Sequence, residues 1–245
     1  MAPLAPIDLH IGSLDYRCGD EVFEAYVARD ANMVSARPAV LVAHDWSGQN
    51  AGIRAVTDRI ARLGWVGFAL DAYGKGIRGE ETGDNTHLMT PLLTDRAKLR
   101  DRLLAGLDAA RRHPAVDPSR IAAIGYCFGG LCVLDLARAG ADLRGVVSFH
   151  GIFAPPNLGP QGPIRSKVLI LHGWEDPMAT PADVLAVTGE LTKAGADWQL
   201  HAYGHALHAF TFPGANAAER GIAYHADADR RSWAAMSGFL DEVLA

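Results

Sequence analysis

The sequence lacks several features that would place it in a broad class of protein. Its three cysteines, Cys18, Cys127 and Cys132, are too few for a disulfide framework. Because their number is odd, at least one thiol is free. There is no basic excess, because 23 Lys and Arg stand against 28 Asp and Glu for a net charge of −5, which argues against nucleic acid as a partner. No apolar run approaches the roughly 18 residues that cross a bilayer, and the first residues do not resemble a secretory signal. We therefore expect a cytoplasmic protein without a membrane contact, as a monomer or a weak homodimer.

Short apolar runs do occur, and they alternate with amphipathic helical stretches. That alternation is typical of βαβ units and predicts an α/β fold with a mostly parallel central sheet and helices on both faces. We expect one domain over residues 1–245, because the chain is long enough for one large core. Four prolines between residues 151 and 166 predict a stiff loop and no large lid domain. The predicted strands are 22–27, 39–44, 66–70, 121–125, 145–149, 167–172 and 198–203.

Two Thr-Pro pairs predict where helices begin. Thr180 and Pro181 precede an apolar stripe, and Thr90 and Pro91 precede another that runs on to Leu107. Proline suits the first helical position because the N–H that it lacks has no partner there. We expect a helix to begin at each pair.

Cys127 is the candidate nucleophile. It stands at the centre of G-x-C-x-G-G, directly after a predicted strand and before a predicted helix. A sharp strand-to-helix turn needs glycine two residues to either side, here Gly125 and Gly129. The helix N-terminus favours the thiolate and leaves the Phe128 amide free for an oxyanion. Cys18 and Cys132 carry no such motif and are interpreted as packing residues.

A thiol nucleophile needs a base and a group that orients the base. Asp176 follows the strand 167–172 and is the preferred acid, with Glu175 as the alternative, and His208 follows the strand 198–203 as the base. His201 and His205 lie nearby, but no Cys or Glu stands at metal-ligand spacing, so we expect neither a metal nor another cofactor.

The turn after residues 39–44 is the second candidate source of oxyanion binding. Trp46 would supply its amide there, next to the acidic Asp45. An apolar substrate pocket with a charged edge is expected from side chains near these turns. Its candidate members are Tyr73, Lys75, Arg78, Trp174, Phe210 and Phe212.

With these motifs in this order, the sequence resembles the dienelactone hydrolases (carboxymethylenebutenolidases) from about Asp20 to the C-terminus. The resemblance implies an α/β-hydrolase fold, a Cys-His-Asp triad at Cys127, His208 and Asp176, and a small-molecule ester or lactone as substrate. It also implies a regulatory carboxylate at Asp45, where the family has glutamate. Two family arginines are replaced here, by Lys75 and Phe212.

The sequence therefore predicts a hydrolase of activated esters or lactones that works through a thioester. The alternative from another class is a catalytically silent hydrolase fold that binds a ligand. A thiol redox protein fits less well, because the sequence contains no C-x-x-C.

Overall fold

The computed structural model describes residues 7–245. Strands and helices alternate along most of it, and the helical crossovers connect parallel strands of one sheet. The elements are β1 (Leu9–Cys18), β2 (Glu21–Asp30), β3 (Arg37–Ala43), α1 (Ala51–Arg62), β4 (Val66–Ala69), α2 (Thr86–Thr94), α3 (Arg96–Arg112), β5 (Val116–Tyr126), α4 (Phe128–Arg138), β6 (Gly145–Phe149), β7 (Lys167–Gly173), α5 (Pro181–Lys193), β8 (Trp198–Tyr203), β9 (Asn216–Ala217), β10 (Ile222–Ala223) and α6 (Ala226–Val243).

Eight of these strands form one sheet in the order β1-β2-β4-β3-β5-β6-β7-β8. The strands from β4 to β8 in that order are parallel, and β1 and β2 join antiparallel. The predicted mostly parallel sheet is confirmed, and every predicted strand overlaps an observed one. Strand β1 was not predicted because it is an edge strand with Tyr16 as its one buried residue, so it lacks an apolar row.

Alternate residues of the central strands reach two separate apolar layers, as the pleat of a strand requires. Leu41 of β3 joins the layer under α3, α4 and α5, and its neighbour Val42 joins the layer under α1 and α6. Helices therefore cover both faces of the sheet, as the sequence predicts. The carboxyl ends of the parallel strands all lie at the same end of the sheet.

One predicted helix start is wrong. Pro91 lies inside α2 rather than at the beginning of a helix. Helix α3 begins at Arg96 instead, because the Asp95 carboxylate accepts from the Lys98 N–H at 2.9 Å and caps the first turn. The other start is confirmed, with Pro181 as the first residue of α5 and Thr180 paired with Asp183 in a capping box.

The stretch between β6 and β7 contains neither helix nor strand. It is tied to the body of the protein by buried guanidinium groups. Arg96 donates to the Ala154 carbonyl at 3.1 Å, and Arg138 donates to the Phe153 carbonyl at 2.9 Å. Asp135 pairs with both arginines, and Glu190 pairs with Arg138 as well. The expected absence of a large lid domain is confirmed, and no helix in residues 7–245 has the length and apolar character of a membrane span.

Candidate active site

Cys127 lies at the bend between β5 and α4. Its backbone has φ 55 and ψ −114, a conformation that residues other than glycine rarely adopt. The turn is this tight because its glycines leave no room for more atoms. A Cβ at Gly125 would collide with the Gly129 carbonyl, and a Cβ at Gly129 would collide with the Ala43 carbonyl. The thiol is partly exposed and lies at the positive end of α4, where a thiolate is favoured.

His208 and Asp176 meet beside this bend. The His208 Nδ1 and an Asp176 carboxylate oxygen are 2.7 Å apart, and both side chains are at least 96% buried. The other carboxylate oxygen accepts from the Met178 N–H at 2.8 Å. Because the carboxylate accepts from Nδ1, the remaining nitrogen Nε2 faces away from the acid, and it has no hydrogen-bond partner in the described chain.

The charge around His208 favours its imidazolium form. Burial would lower the pKa of His208, but the charge of the Cys127 thiolate and the hydrogen bond to Asp176 outweigh it and raise that pKa to about 10. The Cys127 sulfur and the His208 Nε2 do not form a hydrogen bond. We therefore attribute the rise that Cys127 causes in the His208 pKa to the charge of the sulfur. The arrangement can hold a proton on His208 beside the Cys127 sulfur.

Two backbone amides face the same end of the sheet. Phe128 is the first residue of α4, so its N–H has no acceptor within the helix. Trp46 follows β3, the strand next to β5. Within residues 7–245 neither amide donates a hydrogen bond. Tyr73 connects the two segments, because its ring stacks on Phe128 at 6.0 Å and its hydroxyl donates to the Trp46 carbonyl at 2.9 Å.

Asp45 lies in the same loop but is occupied by its own turn. One carboxylate oxygen accepts from both the N–H and the hydroxyl of Ser47. No hydrogen bond joins Asp45 to Cys127 in the described part of the chain. The structure thus places Asp45 near the site as a residue that shapes the loop.

The structure places the Lys75 ammonium away from this site, so its predicted contact with a substrate gains no support from the geometry. Its ammonium pairs with Asp15 of β1 and lies 4.0 Å from Glu24 of β2. Strand β1 is four strands away from β5, or about 19 Å at the usual strand spacing. Arg78 lies nearer, but its guanidinium donates to the carbonyls of Gln49, Gly74 and Ile77.

The predicted aromatic lining divides into three cases. Phe210 is fully buried and packs on Tyr203 at 5.5 Å, so its predicted place in the pocket gains no support from the geometry. Trp174 is 45% exposed, and Phe212 is partly buried in the loop that follows His208. Trp174 and Phe212 therefore remain candidates for contact with a substrate.

Glu175, the alternative acid, and the two histidines near His208 in sequence lie elsewhere. Glu175 pairs at 2.9 Å with His205, whose side chain is 90% exposed. His201 is also exposed. Asp176, rather than Glu175, is therefore the carboxylate beside the buried imidazole.

Sequence reasoning missed a group of buried polar residues around His208. His150 packs edge-on against its ring, with 5.2 Å between the ring centroids. His172 is buried, neither of its ring nitrogens has a hydrogen-bond partner among residues 7–245, and burial lowers its pKa. The buried Ser148 hydroxyl has no partner in that part of the chain either. All three lie at the carboxyl ends of β6 and β7. A polar residue at the end of an apolar strand was the sequence signal that could have indicated them.

A mostly parallel sheet with a nucleophile bend after one strand, an acid after a later strand and a histidine after the next defines the α/β-hydrolase fold. The chain belongs to the dienelactone hydrolase family, whose model matches residues 23–244. The family makes it a hydrolase of the ester- and lactone-cleaving type.

Relatives and solved structures agree with this assignment. A dienelactone hydrolase-like promiscuous phosphotriesterase, P91, from metagenomic libraries is 35% identical, superposes with a TM-score of 0.92, and the match covers 97% of this chain and 99% of that one. A Synechocystis protein provisionally named carboxymethylenebutenolidase is 28% identical over 82% of this chain and 84% of its own length. An uncharacterised Caenorhabditis elegans protein, K02A2.1, is 37% identical over 63% of this chain and all of its own length.

Proposed function

We propose that the chain hydrolyses activated esters or lactones of small molecules, with Cys127 as nucleophile, His208 as base and Asp176 as the group that orients the base. The observation that carries the proposal is the buried contact of 2.7 Å between His208 and Asp176, beside a sulfur at a strained strand-to-helix bend. A strained residue of this kind is most common at functional sites.

In the proposed reaction, the Cys127 sulfur attacks the substrate carbonyl and forms a tetrahedral intermediate. The amides of Phe128 and Trp46 would hold the oxyanion, as paired N–H donors do in acyl transfer. The proton held on His208 passes to the leaving alkoxide, and the acyl group remains on sulfur as a thioester. His208 then takes a proton from water, and hydroxide releases the acid.

A sulfur nucleophile selects its substrates by their leaving groups. A thiolate leaves more readily than an alkoxide, so the intermediate from a plain alkyl ester returns to reactants. Enol and aryl esters avoid this, because their leaving groups are better. We expect turnover of nitrophenyl or enol esters of short acids, and much slower turnover of the matched ethyl esters. Equal rates on matched aryl and alkyl esters would contradict the thiolate mechanism.

The direct test combines kinetics with mass spectrometry of the intact chain. Mixing wild type with a nitrophenyl ester should give a burst of nitrophenol and a mass increase of one acyl group. Cys127→Ala should lose both signals. Cys18→Ser is the matched control, because Cys18 is also a partly exposed free thiol, and it should keep both. Full activity in Cys127→Ala would refute the proposal.

Labelling separates the enzyme from a silent ligand-binding protein of the same fold. Iodoacetamide should modify Cys127 fastest, and a slow ester substrate should protect it. Cys132 should stay unlabelled, because burial raises the pKa of that thiol well above its usual value. An inert Cys127 would favour the ligand-binding alternative.

A second activity follows from the similarity to P91. That protein is described as a promiscuous phosphotriesterase and matches nearly the whole chain. A phosphotriester presents an electrophilic phosphorus with a good aryl leaving group, as the activated esters do at carbon. We propose aryl phosphotriesters as additional substrates, to be assayed with the same Cys127→Ala variant.

A further inference from the structure

His150 covers one edge of the proposed base. The rings of His150 and His208 lie 5.2 Å apart at an interplanar angle of 68°, which is an edge-to-face contact. Phe210 supports His150 from another side, at 5.2 Å and 80°. His150 is 3% exposed, so this contact is sealed from solvent.

The imidazole of His150 is fixed by a bond of its own. Its Nε2 lies 2.8 Å from the Thr211 hydroxyl, three residues beyond His208 in sequence. The backbone N–H of His150 donates to the Leu171 carbonyl of β7 at 2.8 Å. Side chain and backbone are therefore attached to two different segments, and Thr211 belongs to the same loop as the base.

The backbone of His150 is strained. Its φ is 36, in the left-handed region that residues with a side chain rarely occupy. Cys127 is also left-handed, and its N–H donates at 3.0 Å to the Phe149 carbonyl, directly before His150. Two adjacent strands thus carry neighbouring strained residues, and strain of this kind persists only where the surrounding structure holds it.

The charge state of His150 suits a contact with an imidazolium. Burial lowers the pKa of His150 well below its ordinary value, and the charge of His208 lowers it further, with a smaller effect from His172. Tyr126 also faces the ring, at 5.9 Å. No carboxylate contacts the His150 ring in the described chain, so it stays neutral beside a positive His208.

We propose that His150, anchored by Thr211, is a positioning residue that holds the His208 ring with Nδ1 on Asp176 and Nε2 towards Cys127. This inference rests on the proposed function. A free imidazole could rotate about its two side-chain torsions, and rotation would break the contact with Asp176. The Thr211 hydroxyl restricts that rotation because it fixes His150, whose ring packs against His208.

Thr211 supplies a matched pair of variants, Thr211→Val and Thr211→Ser. Valine has nearly the same shape but no hydroxyl, whereas serine keeps the hydroxyl. We expect Thr211→Val to lower kcat on a nitrophenyl ester about tenfold with KM unchanged, and Thr211→Ser to retain the wild-type kcat. His150→Phe keeps an aromatic edge but loses the bond, so it should resemble Thr211→Val, and the double variant should be no slower than either.

The decisive readout is the NMR titration of His208 without substrate. Thr211→Val should lower the His208 pKa by about one pH unit, because a mobile ring spends less time on Asp176. Thr211→Ser should not change it. An unchanged titration in both Thr211→Val and His150→Phe would overturn the inference, whatever happens to the melting temperature.

The same experiment distinguishes failure of this inference from failure of the proposed function. If Cys127→Ala keeps wild-type esterase activity, the proposed function fails. The titration of His208 still decides whether His150 positions that ring, because it needs neither turnover nor the thiol.

Discussion

The charges around His208 allow a quantitative prediction about its titration. The pKa of His208 rises from 6.5 to about 10, although burial acts in the opposite direction. Cys127 and Asp176 supply the rise, and the thiolate charge is the largest favourable contribution. Together they must supply more than the net rise of about 3.5 pH units, which corresponds to about 5 kcal/mol in favour of the imidazolium.

Cys127→Ala removes the larger of these two contributions. If Cys127 supplies at least half of the favourable effect, its loss lowers the His208 pKa by about two pH units or more, equivalent to about 2–3 kcal/mol. Asp176→Asn should also lower the pKa, because the hydrogen bond of 2.7 Å then ends on a neutral amide. Cys18→Ser should leave the pKa unchanged.

The assay is a pH titration of the histidine ring signals by NMR. The chain has ten histidines, and the signal that disappears in His208→Gln identifies the relevant one. A His208 pKa in Cys127→Ala within about half a pH unit of wild type would refute the reasoning, since about half a unit is less than 1 kcal/mol. That result would mean that the charge of the sulfur does not set the pKa of the imidazole.

Three further predictions concern groups outside the triad. Lys75→Ala should not change the preference between anionic and neutral aryl esters in competition assays, because its ammonium already pairs with Asp15. Arg138→Met should lower the free energy of unfolding in urea by about 1–3 kcal/mol, because it leaves the buried Phe153 carbonyl and Glu190 without their donor, while Arg96 still pairs with Asp135. Burial lowers the pKa of His172 in the folded state, so the unfolded chain binds more protons and stability falls as the pH drops below about 6.5. His172→Phe should remove up to about 1.4 kcal/mol per pH unit from that slope, measured by urea unfolding between pH 7 and pH 5.5.

Local patterns in the sequence were enough to predict the central part of the site. The bend at Cys127 depends on residues within three positions of it, and the glycines at those positions are the residues that such a bend requires. The placement of Asp176 and His208 follows from the order of strands in a parallel sheet. In each case a short segment specifies where its candidate side chain lies, so no long-range contact had to be known.

The residues whose surroundings the sequence did not predict depend on contacts between distant segments. Lys75 pairs with Asp15 because the unpredicted strand β1 extends the sheet beside β2, and no local pattern signals that neighbour. Phe210 is buried because it packs against Tyr203 and α6 covers it through Ala228. His150 was missed for the same reason, since its role depends on a residue that lies 58 positions away in the chain.

The strain at Cys127 predicts that the site opposes the stability of the fold. Its φ of 55 costs about 1–3 kcal/mol for a residue with a Cβ, whereas glycine adopts such a conformation freely. Cys127→Gly and Cys127→Ala both remove the sulfur, so the difference between them isolates the backbone. Glycine loses about 0.5–1 kcal/mol through the greater freedom of the unfolded chain, which leaves Cys127→Gly more stable than Cys127→Ala by about 1 kcal/mol. Urea unfolding of the two variants measures this difference. A Cys127→Ala variant that is more stable than Cys127→Gly by about 0.5–1 kcal/mol would mean that the bend is relaxed, and the sulfur would then be held by packing rather than by a strained turn.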